Sequence, residues 1–107
     1  MIVTALLLGA SASALTPPPG LQFGFYRMAA FRQRVIESGC SADLDTLEDL
    51  RRRLAERFGK RAFTWPNVPT SAPGDCSAVS SVYTVNLADF RKEAAVALAL
   101  PGAPKPD

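Results

Sequence analysis

Every proline in this chain falls into one of three clusters, and that distribution limits the fold more than any other feature. Pro17, Pro18 and Pro19 form the first cluster, Pro66, Pro69 and Pro73 the second, and Pro101, Pro104 and Pro106 the third. Proline lacks the amide hydrogen and its ring strikes the preceding turn, so helices run between such clusters and not through them. Gly39 and Gly59 divide the first proline-free stretch again, because glycine is favoured where a helix ends in a left-handed residue. Three helical segments are left.

The first runs from Leu21 to Ser38. Leu21, Phe25, Met28, Phe31 and Val35 recur at helical spacing and define one apolar face. Phe23 falls off that face and is expected to be exposed or to meet a partner. The second segment runs from Asp43 to Phe58, with its stripe at Leu44, Leu47, Leu50 or Arg51, Leu54 and Phe58. Its first half is acidic and its second half basic, which complements the helix dipole. Ser41 or Asp43 is placed to cap its start. Glu48 with Arg52 and Asp49 with Arg53 are i,i+4 pairs, each contributing about 0.2–0.5 kcal/mol. The third segment runs from Asp75 to about Leu100 and carries Val79, Val82, Tyr83, Leu87, Phe90, Ala94 and Ala97. Within it, Ser81 to Val85 has strand propensity. A hairpin pairing that stretch with Ala62 to Trp65 is the competing reading. Unbroken helical periodicity favours one continuous helix.

Residues 61–74 form a Pro-rich loop, long beside the usual connection of about 4–6 residues. Cys40 and Cys76 are the only two cysteines. A disulfide between them demands Cα atoms within about 7 Å. It brings the end of the first helix and the starts of the other two to one corner. The second and third helices then run parallel, with the first antiparallel to both. The chain must travel back along the second helix, about 24 Å for its sixteen residues, so the loop is expected to be a return strap with Phe63 and Trp65 as anchors. In the chain-entropy model the bridge contributes about 4 kcal/mol.

An apolar run, Ile2 to Gly9, opens the chain. It is followed by Ala10-Ser11-Ala12-Ser13-Ala14, which fits a small-x-small cleavage pattern, and no charge precedes Arg27. Residues 1–14 are therefore read as a secretory signal peptide. An apolar helix packed on the domain is the alternative. Residues 15–20 are then a Pro-rich linker, 21–100 the helical domain and 101–107 a disordered tail. Export leads to an oxidising compartment, periplasmic or extracellular, where two cysteines pair by default.

Composition narrows the chemistry. Hydrophobic residues make up 48% of the chain, enough for a core. With no histidine, a Ser-His-Asp triad, a Cys-His pair and a histidine-ligated metal are all ruled out. A net charge of +2 gives no support to nucleic-acid binding. Asp43, Asp45, Glu48 and Asp49 lack the spacing of a calcium loop, which needs Gly where Glu48 stands and Glu where Leu54 stands. Carboxylates on one short helix also lack the cleft that glycoside hydrolysis requires. Arg51, Arg52 and Arg53 spread around their helix and read as a solvated face, with binding to an anionic lipid or cell-wall polymer as the alternative. No catalytic residue, metal ligand or cofactor is assigned.

The expectation is a small all-α protein of three helices stapled by the Cys40–Cys76 disulfide. It is read as a non-catalytic binding or accessory protein of the periplasm or cell envelope, with a protein partner that the residues do not specify. Phe63 and Trp65 are the candidate partner-binding residues, although Trp65 reads first as a cap on the core at a helix crossing. The alternatives are an inhibitor of an exported enzyme that inserts the Phe63–Trp65 loop, and a small carboxylate-dependent enzyme.

Overall fold

The computed structural model describes residues 15–69 and 73–101. It contains three helices, α1 (Pro19–Ser38), α2 (Leu44–Phe58) and α3 (Cys76–Ala99). No strand occurs among the described residues, and the Ser81 to Val85 stretch lies inside α3. None of the described helices is long and apolar enough to cross a membrane. The segment read as a leader, 1–14, and the tail beyond Pro101 lie outside the described residues.

Local chemistry sets each helix end. α1 begins at Pro19, earlier than the apolar stripe suggests. A proline in the first turn has no amide hydrogen to leave unsatisfied, and its fixed φ suits a helix start. α1 ends at Gly39, whose φ of 66° is left-handed. The Gly39 amide donates to the Ile36 carbonyl at 3.2 Å and the Cys40 amide to the Val35 carbonyl at 3.1 Å. This is a Schellman turn, and it delivers Cys40 to the corner. Asp43, not Ser41, caps α2: its carboxylate accepts from the Thr46 amide at 3.0 Å and the Thr46 hydroxyl at 2.7 Å. Those bonds, led by the hydroxyl, hold the Asp43 carboxyl below its ordinary range. Asp75 caps α3 through the Ala78 amide at 3.2 Å.

The expected directions hold. Tyr83, in the first half of α3, donates to the carbonyl of Asp43 at the start of α2. Arg57, at the end of α2, donates to the carbonyls of Leu98 and Leu100 at the end of α3. α2 and α3 therefore run parallel. Gly24, near the start of α1, lies against Phe90 and Glu93 near the end of α3, so α1 is antiparallel. α3 is the central element and packs on both other helices. The strap fills the space between α1 and α2.

The core is continuous across all four parts. Phe25, Met28 and Val35 come from α1, Leu47 and Leu54 from α2, Phe63 from the strap and Tyr83 from α3; each is at most 1% exposed. Val82 departs from the expected stripe and is 45% exposed. It sits at the edge of the α1–α3 contact and not beneath it.

Tyr83 has a consequence for pH. Its hydroxyl donates to the Asp43 carbonyl at 2.7 Å. Burial, helped by the nearby Asp43 charge, pushes its pKa up to about 12. An unfolded tyrosine ionises near pH 10. The contribution is therefore complete below about pH 10 and is lost as pH rises through about 12. Tyr83→Phe is expected to cost about 1 kcal/mol at neutral pH. By about pH 11 the natural protein will have lost about 1.4 kcal/mol and the two will be comparably stable. Urea denaturation of both proteins at neutral pH and at about pH 11 checks this; a stability gap that does not change with pH contradicts it.

Candidate functional site

The two cysteines meet at the corner. Cys40 and Cys76 are bonded, with Cα atoms 5.4 Å apart across a sequence separation of 36. Cys76 is exposed and Cys40 partly so. Hydrogen bonds hold the strands of chain around the bridge. The Gly74 amide donates to the Ser38 hydroxyl at 3.1 Å, and the Ser80 hydroxyl donates to the Ser41 carbonyl at 2.9 Å.

From the far end of α2 the strap returns along α1. Gln22 of α1 donates its side-chain amide to the Ala62 carbonyl at 2.6 Å. Phe63 is fully buried, edge-on to Phe25 at 5.0 Å and near Phe58 at 6.0 Å. Trp65 is half-buried. Its ring stacks on Phe25 at 4.6 Å, and the Arg32 guanidinium lies 4.6 Å from its centre.

The Trp65 indole N–H donates to Glu48 at 3.1 Å. Glu48 in turn accepts both fork nitrogens of Arg51, and Arg51 also donates to the Phe63 carbonyl at 3.0 Å. The Arg51 guanidinium holds the Glu48 carboxyl below its usual range against a smaller opposing effect of burial, and the Trp65 donation adds to the lowering. The same bond makes Arg51 hold its proton more firmly.

This network corrects two sequence expectations. Glu48 pairs with Arg51 at i,i+3 and not with Arg52, which pairs with Asp49 instead. Asp49 also accepts from Arg53, the one expected i,i+4 pair that forms. Arg51 is therefore a tie between α2 and the strap and is not part of a solvated face. Of the two candidate partner-binding residues, Phe63 has its side chain in the core, and Trp65 keeps exposed surface. Arg32, Glu48 and Arg51 belong with Trp65. The Glu48–Arg51 spacing is visible in the sequence, but nothing in the sequence shows that the strap carries Trp65 to Glu48.

A second feature was not anticipated. Phe31 and Arg34 of α1, Asp75, and Ala78, Val79 and Val82 of α3 line a cleft of about 280 Å³ beside the disulfide corner. Its walls are apolar, with one cationic and one anionic group. It is at the small end for a ligand site.

Comparison of the chain with protein-family models, with curated proteins and with solved structures finds no match to any of them.

Proposed function

We propose that this chain is an exported, non-catalytic binding or accessory protein of the periplasm or cell envelope, acting through surface contacts. The observation that carries the reading is the Cys40–Cys76 bond at an exposed corner. A bond so open to reductant persists in an oxidising compartment and not in a glutathione-reduced cytosol. The leader-like residues 1–14 give an independent reason from sequence.

Trp65 with Arg32 supplies the contact. Both are residue types that dominate binding energy at protein interfaces. Here Phe25 and Glu48 hold the Trp65 ring, and Arg32 lies against that ring, so little ordering of the tryptophan is needed on binding. The inhibitor reading gains nothing from the geometry, because a loop that enters an enzyme cleft must project its side chains and Phe63 points inward.

Mass analysis of the protein recovered from an envelope fraction is expected to show cleavage after Ala14 and an oxidised cysteine pair. Recovery with both thiols open to alkylation overturns export. Partners retained from envelope extract are expected to bind Trp65→Ala about tenfold or more weakly. Equal retention of every partner removes Trp65 as the contact.

A further inference from the structure

The fold separates charge along the bundle. At the disulfide corner lie Asp43, Asp45, Asp75 and Glu37; Arg34 lies against Gly74 there, and Arg91 of α3 is close enough to act on the Asp43 carboxylate. The opposite end gathers the start of α1, the end of α2 and the end of α3, as the Gln22–Ala62 and Arg57–Leu98 bonds show. Arg27, Lys60, Arg61 and Lys92 are all exposed there. Its acids are Glu56, Asp89 and Glu93, and Arg57 is tied to the α3 carbonyls. The distal end therefore carries an excess of positive charge.

The same end also exposes apolar side chains. Phe23 is 67% exposed, Tyr26 48%, Val96 65% and Leu100 43%. Arg27 lies over the Phe23 ring at 5.5 Å. Large exposed aromatic and aliphatic groups interleaved with Lys and Arg are the composition of a surface that lies on a membrane. There the rings sit among the headgroups and the cations meet lipid phosphates. Chain connectivity adds to the charge. Residues 1–14 join the described chain at Leu15, just ahead of α1. If that segment is removed, the new amino group adds a positive charge close to this end.

We propose that the distal end, centred on Phe23, Arg27, Lys60 and Arg61, docks on the surface of an anionic phospholipid bilayer. The acidic corner then faces away from the membrane. This inference goes beyond the function proposed above and does not depend on export, since it concerns binding by the purified chain.

Co-sedimentation of the full chain with phosphatidylglycerol–phosphatidylcholine vesicles, set against pure phosphatidylcholine vesicles, tests it. Preferential retention on the anionic vesicles, weakening as salt is raised, is expected. Lys60→Glu with Arg61→Glu should lower partitioning about 30-fold or more, and Phe23→Ser about tenfold. Arg34→Glu makes the same kind of charge change at the other end and should leave binding unchanged. Far-UV circular dichroism confirms that each variant is folded. Three results overturn the proposal: equal retention on neutral vesicles, indifference to the Lys60/Arg61 reversal, or an equal loss in Arg34→Glu.

Discussion

Replacing Cys40 and Cys76 together with serine is expected to lower the melting temperature by about 15–30 °C. The bridge joins residues separated by 36 positions, so its removal returns loop entropy of about 4 kcal/mol to the unfolded chain. That is a large part of the roughly 5–15 kcal/mol by which small proteins are stable. The native contacts give a second reason for a large effect. Close to the bridge, the Gly74–Ser38 hydrogen bond links the strap to α1, and the Ser80–Ser41 and Tyr83–Asp43 bonds link α3 to the α1–α2 turn. None of them replaces a covalent tie. Thermal melts followed by far-UV circular dichroism, with and without dithiothreitol, check the prediction. Reductant should bring the natural protein down to the level of the double variant and leave the variant unmoved. A variant melting within about 5 °C of the natural protein would show that the unfolded chain is already constrained by other means.

Phe25→Ala is expected to destabilise by about 3–5 kcal/mol and to expose Trp65. Phe25 has no exposed surface and touches Phe63, Trp65 and Phe90. It therefore joins α1 to both the strap and α3. Truncating it opens a cavity whose walls belong to three separate parts of the chain, so collapse into it is poor. Because Trp65 is the sole tryptophan, its fluorescence reports on the strap directly. The variant should show a red-shifted emission and stronger acrylamide quenching at temperatures where its helices persist. An unchanged emission in a destabilised but folded variant would mean that the strap's hydrogen bonds to Gln22, Glu48 and Arg51 hold it without the Phe25 ring. Arg51→Ala then becomes the informative change, since Arg51 touches both Glu48 and the Phe63 carbonyl.

Much of this architecture is legible in the residues. The proline clusters and Gly39 and Gly59 mark where helices cannot continue, and the heptad-like stripes mark which faces are buried. The bridge position follows from there being a single pair of cysteines, and the parallel course of α2 and α3 follows from the bridge. The Phe63 and Trp65 anchors are visible as the aromatic residues of a loop that must run back along a helix.

The candidate site was legible only in part. Trp65 stands out by type and setting, but its partners Arg32 and Glu48 lie on two different helices. Arg51 looks like its neighbours Arg52 and Arg53 along the chain. It differs only because its direction on α2 faces the strap. Val82 shares the period of the buried residues, yet it falls where the α1–α3 contact opens into the cleft with Phe31 and Arg34.

The chain by itself determined where its helices stop, which face of each is apolar and which two sulfur atoms can join. These are properties of backbone chemistry and short-range spacing, which do not depend on what lies opposite. Tertiary structure alone decided which arginine ties the strap, how the Trp65 ring is held and which end of the bundle gathers exposed aromatic and basic groups. Each of those depends on distances between residues far apart in sequence, and such distances exist only once the helices have been laid side by side.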